Sequence, residues 1–419
     1  MDMGYRKGRQ TGSSHTTLAG TPNAVSAMPA RAAPETIGRY RLCFELAFGG
    51  MASVYLARAQ GSPGFEKLVA LKRIHPHLLS ETSYVEMFLD EARIASRITH
   101  PNVCSVFDFG EAGGEYFIAM EYLVGEPLSR VHRRVIADVD ERSSPLLPAR
   151  MAHIIAQACE GLHAAHELRD AGGESLCVVH RDVSAQNLFV TYDGTTQVVD
   201  FGIAHASQRM HHTEAGQVKG TFPYMAPEQM TAAPVDRRVD VWALGAVLWE
   251  LLTLRRLFWR DTDVNTMYAV LSSEIKRPSE YNPDVSKELD EVVLKALQRN
   301  PNGRWQTARD MGTALRRAVA QREDPLGPAE IAEWMSGLFP DGEARKRHVM
   351  EIARTSDAWG TVEAPRRSAE GSGTAAASIP KTTRRRRAAR SRRPSPGALV
   401  ALIGAATILA VVVLGWLGQ

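Results

Sequence analysis

Cysteine is scarce in this chain. Only four of 419 residues are cysteine, Cys43, Cys104, Cys159 and Cys177. They lie far apart with no Cys-x-x-Cys pair, which argues against a disulfide framework and a zinc site and suits a reducing compartment. Charge of one sign is also in short supply. Fifty Lys and Arg against 47 Asp and Glu leave a net +3, too little to mark a nucleic-acid binder. No apolar run follows Arg6-Lys7, so the N-terminal segment does not read as a secretory signal. What is abundant is ordinary: 44% apolar and 23% charged residues, enough for a sizeable buried core.

Residues 1–37 are rich in Gly, Ser, Thr, Ala and Pro without apolar periodicity, and read as disordered. Patterning begins at Tyr40. Residues 54–57 and 68–71 read as short strands, separated by a Gly/Pro turn at 61–64. Residues 86–98 carry Phe88, Leu89, Ala92 and Ala95 at helical spacing. Val198-Val199 reads as a strand end before Asp200, and residues 241–252 and 289–297 read as helices. The predicted domains are a disordered segment 1–37, a folded domain 38–320 and a helical extension 321–355, with Ile331, Trp334, Met335 and Leu338 on one face. A linker 356–396 follows, and its residues 381–393 hold one Lys and seven Arg with no acid.

Residues 397–417 form an uncharged run of 21 residues. A span of roughly 20 apolar residues crosses about 30 Å of hydrocarbon, so this run is predicted to be a transmembrane helix. The adjoining arginines predict that everything before it is cytoplasmic and that the basic run meets anionic lipid. Gly397, Ala401 and Ala405 have the small-xxx-small spacing of a self-association face, a weak signal because small residues are common in such helices.

Several residues have the chemistry of phosphoryl transfer, which needs a phosphate cradle, a lysine, metal ligands and a base. Leu46, Gly49 and Gly50 lie on a stretch that follows a likely strand and leads, at Val54, into another, where small residues allow close backbone approach. Lys72 ends a strand, and Glu91 lies on the next helix. Asp182 can accept a hydroxyl proton. Asn187 and Asp200 offer oxygens to a hard cation such as Mg²⁺.

In order, Gly49, Val69-Ala70-Leu71-Lys72, Glu91, His100-Pro101-Asn102, Met120-Glu121-Tyr122-Leu123, His180-Arg181-Asp182 with Asn187, Asp200-Phe201-Gly202, Gly220-Thr221 with Ala226-Pro227-Glu228, Asp240 with Trp242 and Gly245, and Arg304 resemble the eukaryotic-like protein kinases, in particular bacterial serine/threonine kinases. The resemblance covers residues 40–320. It implies an α+β, two-lobed fold with a small β-rich N-lobe and a larger helical C-lobe, here with one C-terminal transmembrane helix. It implies ATP and Mg²⁺ as cofactors and proteins with Ser or Thr acceptors as partners. By the same resemblance Lys72 holds the α- and β-phosphates, tethered by Glu91. Met120 is the gatekeeper, and Glu121 and Leu123 offer backbone groups to adenine. Asp182 is the catalytic base, Asn187 and Asp200 bind Mg²⁺, Glu228 pairs with Arg304, and Asp240 braces the catalytic loop.

This sequence departs from the family pattern at three places. Ala47 and Ala52 replace two glycines of the phosphate loop, and Ser184 stands where a lysine usually contacts the transferred phosphate. The stretch from His180 to Asn187 resembles a variant of myxobacterial kinases. The departures keep an alternative open, a pseudokinase scaffold that binds nucleotide or partners without transfer. A small-molecule phosphotransferase gives no reason for Ala226-Pro227-Glu228 and Arg304. Arg181 before the base predicts control by phosphorylation of the activation loop, at Thr213 or else Ser207.

Overall fold

The computed structural model describes residues 35–61, 66–201, 222–231, 233–320 and 326–355. Six antiparallel strands form the first layer: β1 (Thr36–Ile37), β2 (Tyr40–Phe48), β3 (Ala52–Gln60), β4 (Glu66–Ile74), β5 (Val106–Ala112) and β6 (Glu115–Glu121), in the order β1-β2-β3-β4-β6-β5. The fragments read at 54–57 and 68–71 are the middles of β3 and β4. Most of the turn read at 61–64 lies outside the described residues. Regular structure starts at Thr36, two residues before the boundary placed at 38, because Ile37 is buried in a small cluster with Tyr40, Leu42 and Leu71.

One helix, α1 (Thr82–Ala95), covers the sheet. It starts four residues ahead of the predicted stretch because Tyr84 and Val85 join Phe88 and Ala92 in its buried face. Ile98, predicted as helical, lies beyond its end yet is still buried.

The second part is helical. It holds β7 (Gly125–Pro127), α2 (Leu128–Ala137), α3 (Val139–Arg142) and α4 (Leu147–His166), then β8 (Leu188–Thr191) and β9 (Thr196–Val198), which form a three-stranded sheet β7-β8-β9. After these come α5 (Pro227–Met230), α6 (Arg238–Thr253), α7 (Asp263–Ser272), α8 (Lys287–Ala296) and α9 (Ala308–Val319). Nearly every residue of α6 is buried. A helix that is apolar all round belongs in a core rather than at a surface, and α6 is the spine on which α4 and α8 pack.

The segment from 326 to 355 folds as two helices rather than one, α10 (Pro328–Leu338) and α11 (Gly342–Thr355). Ile331, Trp334, Met335 and Leu338 of α10 are all buried against the helical part, as their spacing implies. The predicted membrane helix at 397–417 and the basic run at 381–393 lie outside the described residues. Among the described residues no helix is long and apolar enough to cross a membrane.

Candidate active site

Strand register brings the N-lobe residues together. Residues directly opposite in an antiparallel pair point to the same face. Ala47 of β2 faces Val54 of β3, Val54 faces Lys72 of β4, and Lys72 faces Ile118 of β6. Ala70, two residues before Lys72 and so on its face, lies opposite Met120. Leu46 is partly exposed in β2, while Glu121 ends β6 and Leu123 follows it.

The loop between β2 and β3 is closed by its own backbone. The Gly49 N–H donates to the Ala52 carbonyl at 2.9 Å, and a Cβ on Gly49 would sit 3.1 Å from that oxygen. Gly50 faces open space. Phe48 at the tip stacks on the His75 ring at 4.7 Å, and His75 reaches the Ser53 hydroxyl at 3.2 Å. Neither His75 nor Ser53 stands out in the sequence, because no motif or periodicity marks a stacking partner 27 residues away.

Lys72 is the meeting point of the two lobes. Its ammonium donates to Glu91 Oε1 at 2.8 Å and to Asp200 Oδ1 at 3.0 Å. Burial favours the neutral amine, but the carboxylates of Asp200 and Glu91 outweigh it and hold Lys72 protonated well above the usual lysine range. The helix α1 is therefore seated with its carboxylate against the sheet.

Two residues of the candidate site hold left-handed backbone. Arg181 has φ +65° and Asp200 φ +53°, left-handed values that a side chain rarely takes without support. At Arg181 the support comes from Asp240 in the first turn of α6. One of its oxygens accepts from the His180 N–H and from His166 Nε2, the other from the Arg181 N–H, all at 2.8 Å. Burial alone would raise this carboxyl, yet the His166 hydrogen bond and the charges and N–H groups around it hold it below the usual carboxylate range. His166 is a second contributor with no sequence signal, since it lies 74 residues from its partner.

His180 links the two halves of the site. Its Nδ1 accepts from the Asp182 N–H at 3.3 Å and its Nε2 lies 3.2 Å from the Val199 carbonyl, which assigns the proton to Nε2. Its ring packs on the buried Phe201 at 4.8 Å. Asn102 ties the same strand down through Asn102 Nδ2 to the Thr196 carbonyl at 2.8 Å. Gly202, Ser207, His211, His212, Thr213, Gly220 and Thr221 lie outside the described residues.

Asn187 Nδ2 donates to the Asp182 carbonyl at 2.9 Å and to Asp182 Oδ2 at 3.2 Å. That orientation turns the amide oxygen of Asn187 away from Asp182, the donor a hard cation needs. No group of three His, Cys, Asp or Glu among the described residues can hold a metal unaided. An ion at Asn187 and Asp200 would complete its shell from phosphate oxygens and water, as Mg²⁺ commonly does. The donor set thus fits a metal–nucleotide pair. Ser184 serves the loop's shape: its carbonyl accepts from the Asn187 N–H at 3.0 Å and its hydroxyl from the Gln186 N–H at 3.3 Å.

Below the loop, Arg304 forks onto both oxygens of Glu228 at 2.6 and 2.7 Å and lies over the Trp242 ring, all buried. This pair fixes α5 to the body of the helical lobe.

Residues 40–314 match the protein kinase domain. The chain is 42% identical over 308 residues to "Tyrosine-protein kinase MasK" of Myxococcus xanthus, covering 74% of this chain and 47% of that protein. It is 36% identical over 301 residues to "Serine/threonine-protein kinase PknB" of Mycolicibacterium smegmatis, covering 70% and 45%. It thus spans less than half the length of these relatives. Among solved structures it resembles the PknI kinase domain of Mycobacterium tuberculosis, with 27% identity, a TM-score of 0.51, and coverage of 69% of this chain and all of that one. The chain belongs to the protein kinase family, in its eukaryotic-like bacterial branch, which uses ATP and Mg²⁺.

Proposed function

We propose that this chain is an active serine/threonine protein kinase, held at the cytoplasmic face of a membrane by residues 397–417 and acting on protein substrates. One observation carries the catalytic reading: Lys72 is held between Glu91 and Asp200 at 2.8 and 3.0 Å, with the whole set of ion pairs already assembled. A scaffold that had lost transfer would have no need to keep the Lys72 ammonium paired with the buried Glu91 carboxylate and with Asp200 at the rim, since sheltering such charges from water is expensive.

In this reading Lys72 binds the α- and β-phosphates and Glu91 keeps it aimed. Leu46, Gly49, Gly50 and Val54 cover the nucleotide, and the backbone of Glu121 and Leu123 meets adenine. Asp182 orients the acceptor hydroxyl and takes its proton, while Asn187 and Asp200 hold the metal. Mg²⁺, when bound, supplies charge neutralisation at the transferring phosphate. Ser184 leaves that phosphate without a lysine, so this site relies more heavily on the metal and Lys72. Arg181, whose Nε is buried without a hydrogen-bond partner among the described residues, would receive a phosphate on Thr213.

Acceptor choice has two supports for Ser or Thr, the Gly220-Thr221 pair ahead of Ala226-Pro227-Glu228 and the relatives named PknB. A relative named as a tyrosine kinase supports the other acceptor. Both are resolved by one experiment. Full-length chain expressed in bacteria is fractionated, recovered from membranes, incubated with labelled ATP and Mg²⁺, and hydrolysed for phosphoamino-acid analysis. Label on serine or threonine, absent from Asp182→Ala, is the expected result. Phosphotyrosine alone overturns the acceptor, label equal to that of Asp182→Ala overturns the enzyme, and recovery only in the soluble fraction overturns the anchor.

A further inference from the structure

Helices α10 and α11 lie beyond the matched domain, which ends at residue 314. They are nevertheless built into it. Trp334 Nε1 of α10 donates to Glu141 at 2.7 Å, and Arg134 Nε donates to the Leu338 carbonyl at 3.0 Å. Two glycines allow the close approach. A Cβ on Gly194, whose φ is +83°, would lie 1.8 Å from the Pro328 carbonyl oxygen, and a Cβ on Gly342 would lie 1.8 Å from the Tyr192 hydroxyl.

From there α11 runs to the N-lobe. Its 14 residues reach about 21 Å at 1.5 Å per residue. Near its start, Lys346 Nζ lies 4.0 Å from Glu126 and over the Phe189 ring. Glu126 is itself buried, accepting from the Tyr192 hydroxyl at 3.0 Å and from Arg130 at 2.7 Å. Near its end, Ala353 is 1% exposed in a cluster with Cys43, Phe44 and Leu56, and Val349, Ile352, Leu68 and Tyr122 pack against that cluster. Arg58 Nη1 donates to the Arg354 carbonyl at 2.7 Å, placing a cation on the last turn's unsatisfied carbonyls.

Tyr122 sits between Glu121 and Leu123, and Glu126 lies three residues beyond Leu123. The connection between lobes is the place where closure over a nucleotide changes backbone angles. We propose that α10–α11 is a strap across this connection, and that α11 is a positioning element for ATP binding, acting through Tyr122 and Glu126. A helix anchored on both lobes removes part of the ordering that nucleotide binding must otherwise impose. The inference rests on the kinase reading of the site, because the effect is read at adenine.

The test uses the full chain and measures ATP–Mg²⁺ affinity by calorimetry beside KM for ATP and kcat at saturating ATP. Ala353→Glu puts a carboxylate among Cys43, Phe44 and Leu56. Arg58→Ala removes the bond to the helix end, and Arg58→Lys returns a cation to that site. Lys346→Ala, at a side chain 22% exposed, is a milder change that keeps the measurement informative if the buried variants fail to fold. Weakening of ATP binding by about five- to tenfold in the buried variants and about twofold in Lys346→Ala, with kcat changed less than about twofold, is expected. Arg58→Lys should recover most of the Arg58→Ala loss. Unchanged ATP affinity in all folded variants, or a fall in kcat at constant KM, overturns the strap while leaving the kinase reading intact. A wild-type chain that binds no ATP overturns both.

Discussion

Substituting Asp240 by Asn tests the claim that one buried carboxylate holds the catalytic loop in its strained form. The side chain is 1% exposed and accepts three hydrogen bonds at 2.8 Å. An amide has a single acceptor oxygen. Its best orientation puts that oxygen where it serves both His166 and His180, which turns the NH₂ toward the Arg181 N–H. Two buried donors, the Arg181 N–H and the new NH₂, are then unpaired, costing about 1–3 kcal/mol each, and the two surviving bonds lose their charge assistance, about 1 kcal/mol each. The sum is roughly 4–8 kcal/mol. For a domain of this size that lowers Tm by roughly 7–14 °C. Activity should fall further than stability explains. Arg181 at φ +65° loses its restraint, and Asp182 follows it in the chain. A displacement of about 1 Å at a catalytic group costs on the order of a hundredfold in rate. Thermal unfolding of Asp240→Asn beside wild type, with labelled-phosphate transfer measured at a temperature where both are folded, checks both numbers. A Tm within about 2 °C of wild type together with unchanged kcat would refute the reasoning.

Lys72→Met leaves Glu91 and Asp200 facing each other without a cation and removes the phosphate contact proposed for Lys72. It should lower kcat/KM by about a hundred- to a thousandfold in a steady-state assay. His132 of α2 gives a pH dependence. Burial first, then the Arg256 charge, lowers its pKa to about 4, so the folded protein holds it neutral. Its contribution is fully present above the ordinary value of 6.5 and is lost as pH falls toward about 4. Urea unfolding should show wild type losing about 2 kcal/mol between pH 7 and 5 from this residue, a loss absent from His132→Leu.

Part of the candidate site is legible in the sequence, because some of its groups lie at short local spacing. Asp182 and Asn187 lie five residues apart, and the bond between them is made within one loop. The buried face of α10 was equally legible, since helical periodicity is a property of a few consecutive turns. What local patterning leaves open is the identity of a partner. Lys72 meets Asp200 across 128 residues, and Asp240 meets His166 across 74. Neither distance leaves a mark in composition or period; the resemblance implies Glu91 as the tether of Lys72, and the bond from Lys72 to Asp200 is a finding of the structure. For His166 the family pattern gives no cue.

By itself the sequence determined the order of the chemical groups, the strand-rich and helix-rich halves, and the apolar stripes that had to be buried. Tertiary structure alone decided which stripes meet. It placed Thr36–Ile37 in the first sheet, split the extension into two helices, and carried Ala353 back to Cys43 across 310 residues. The reason is physical: an amphipathic face states that it must leave water, and burial is non-directional. The choice of surface is made by shape, by the glycines at 194 and 342 that permit contact, and by the polar groups such as Arg58 that finish it.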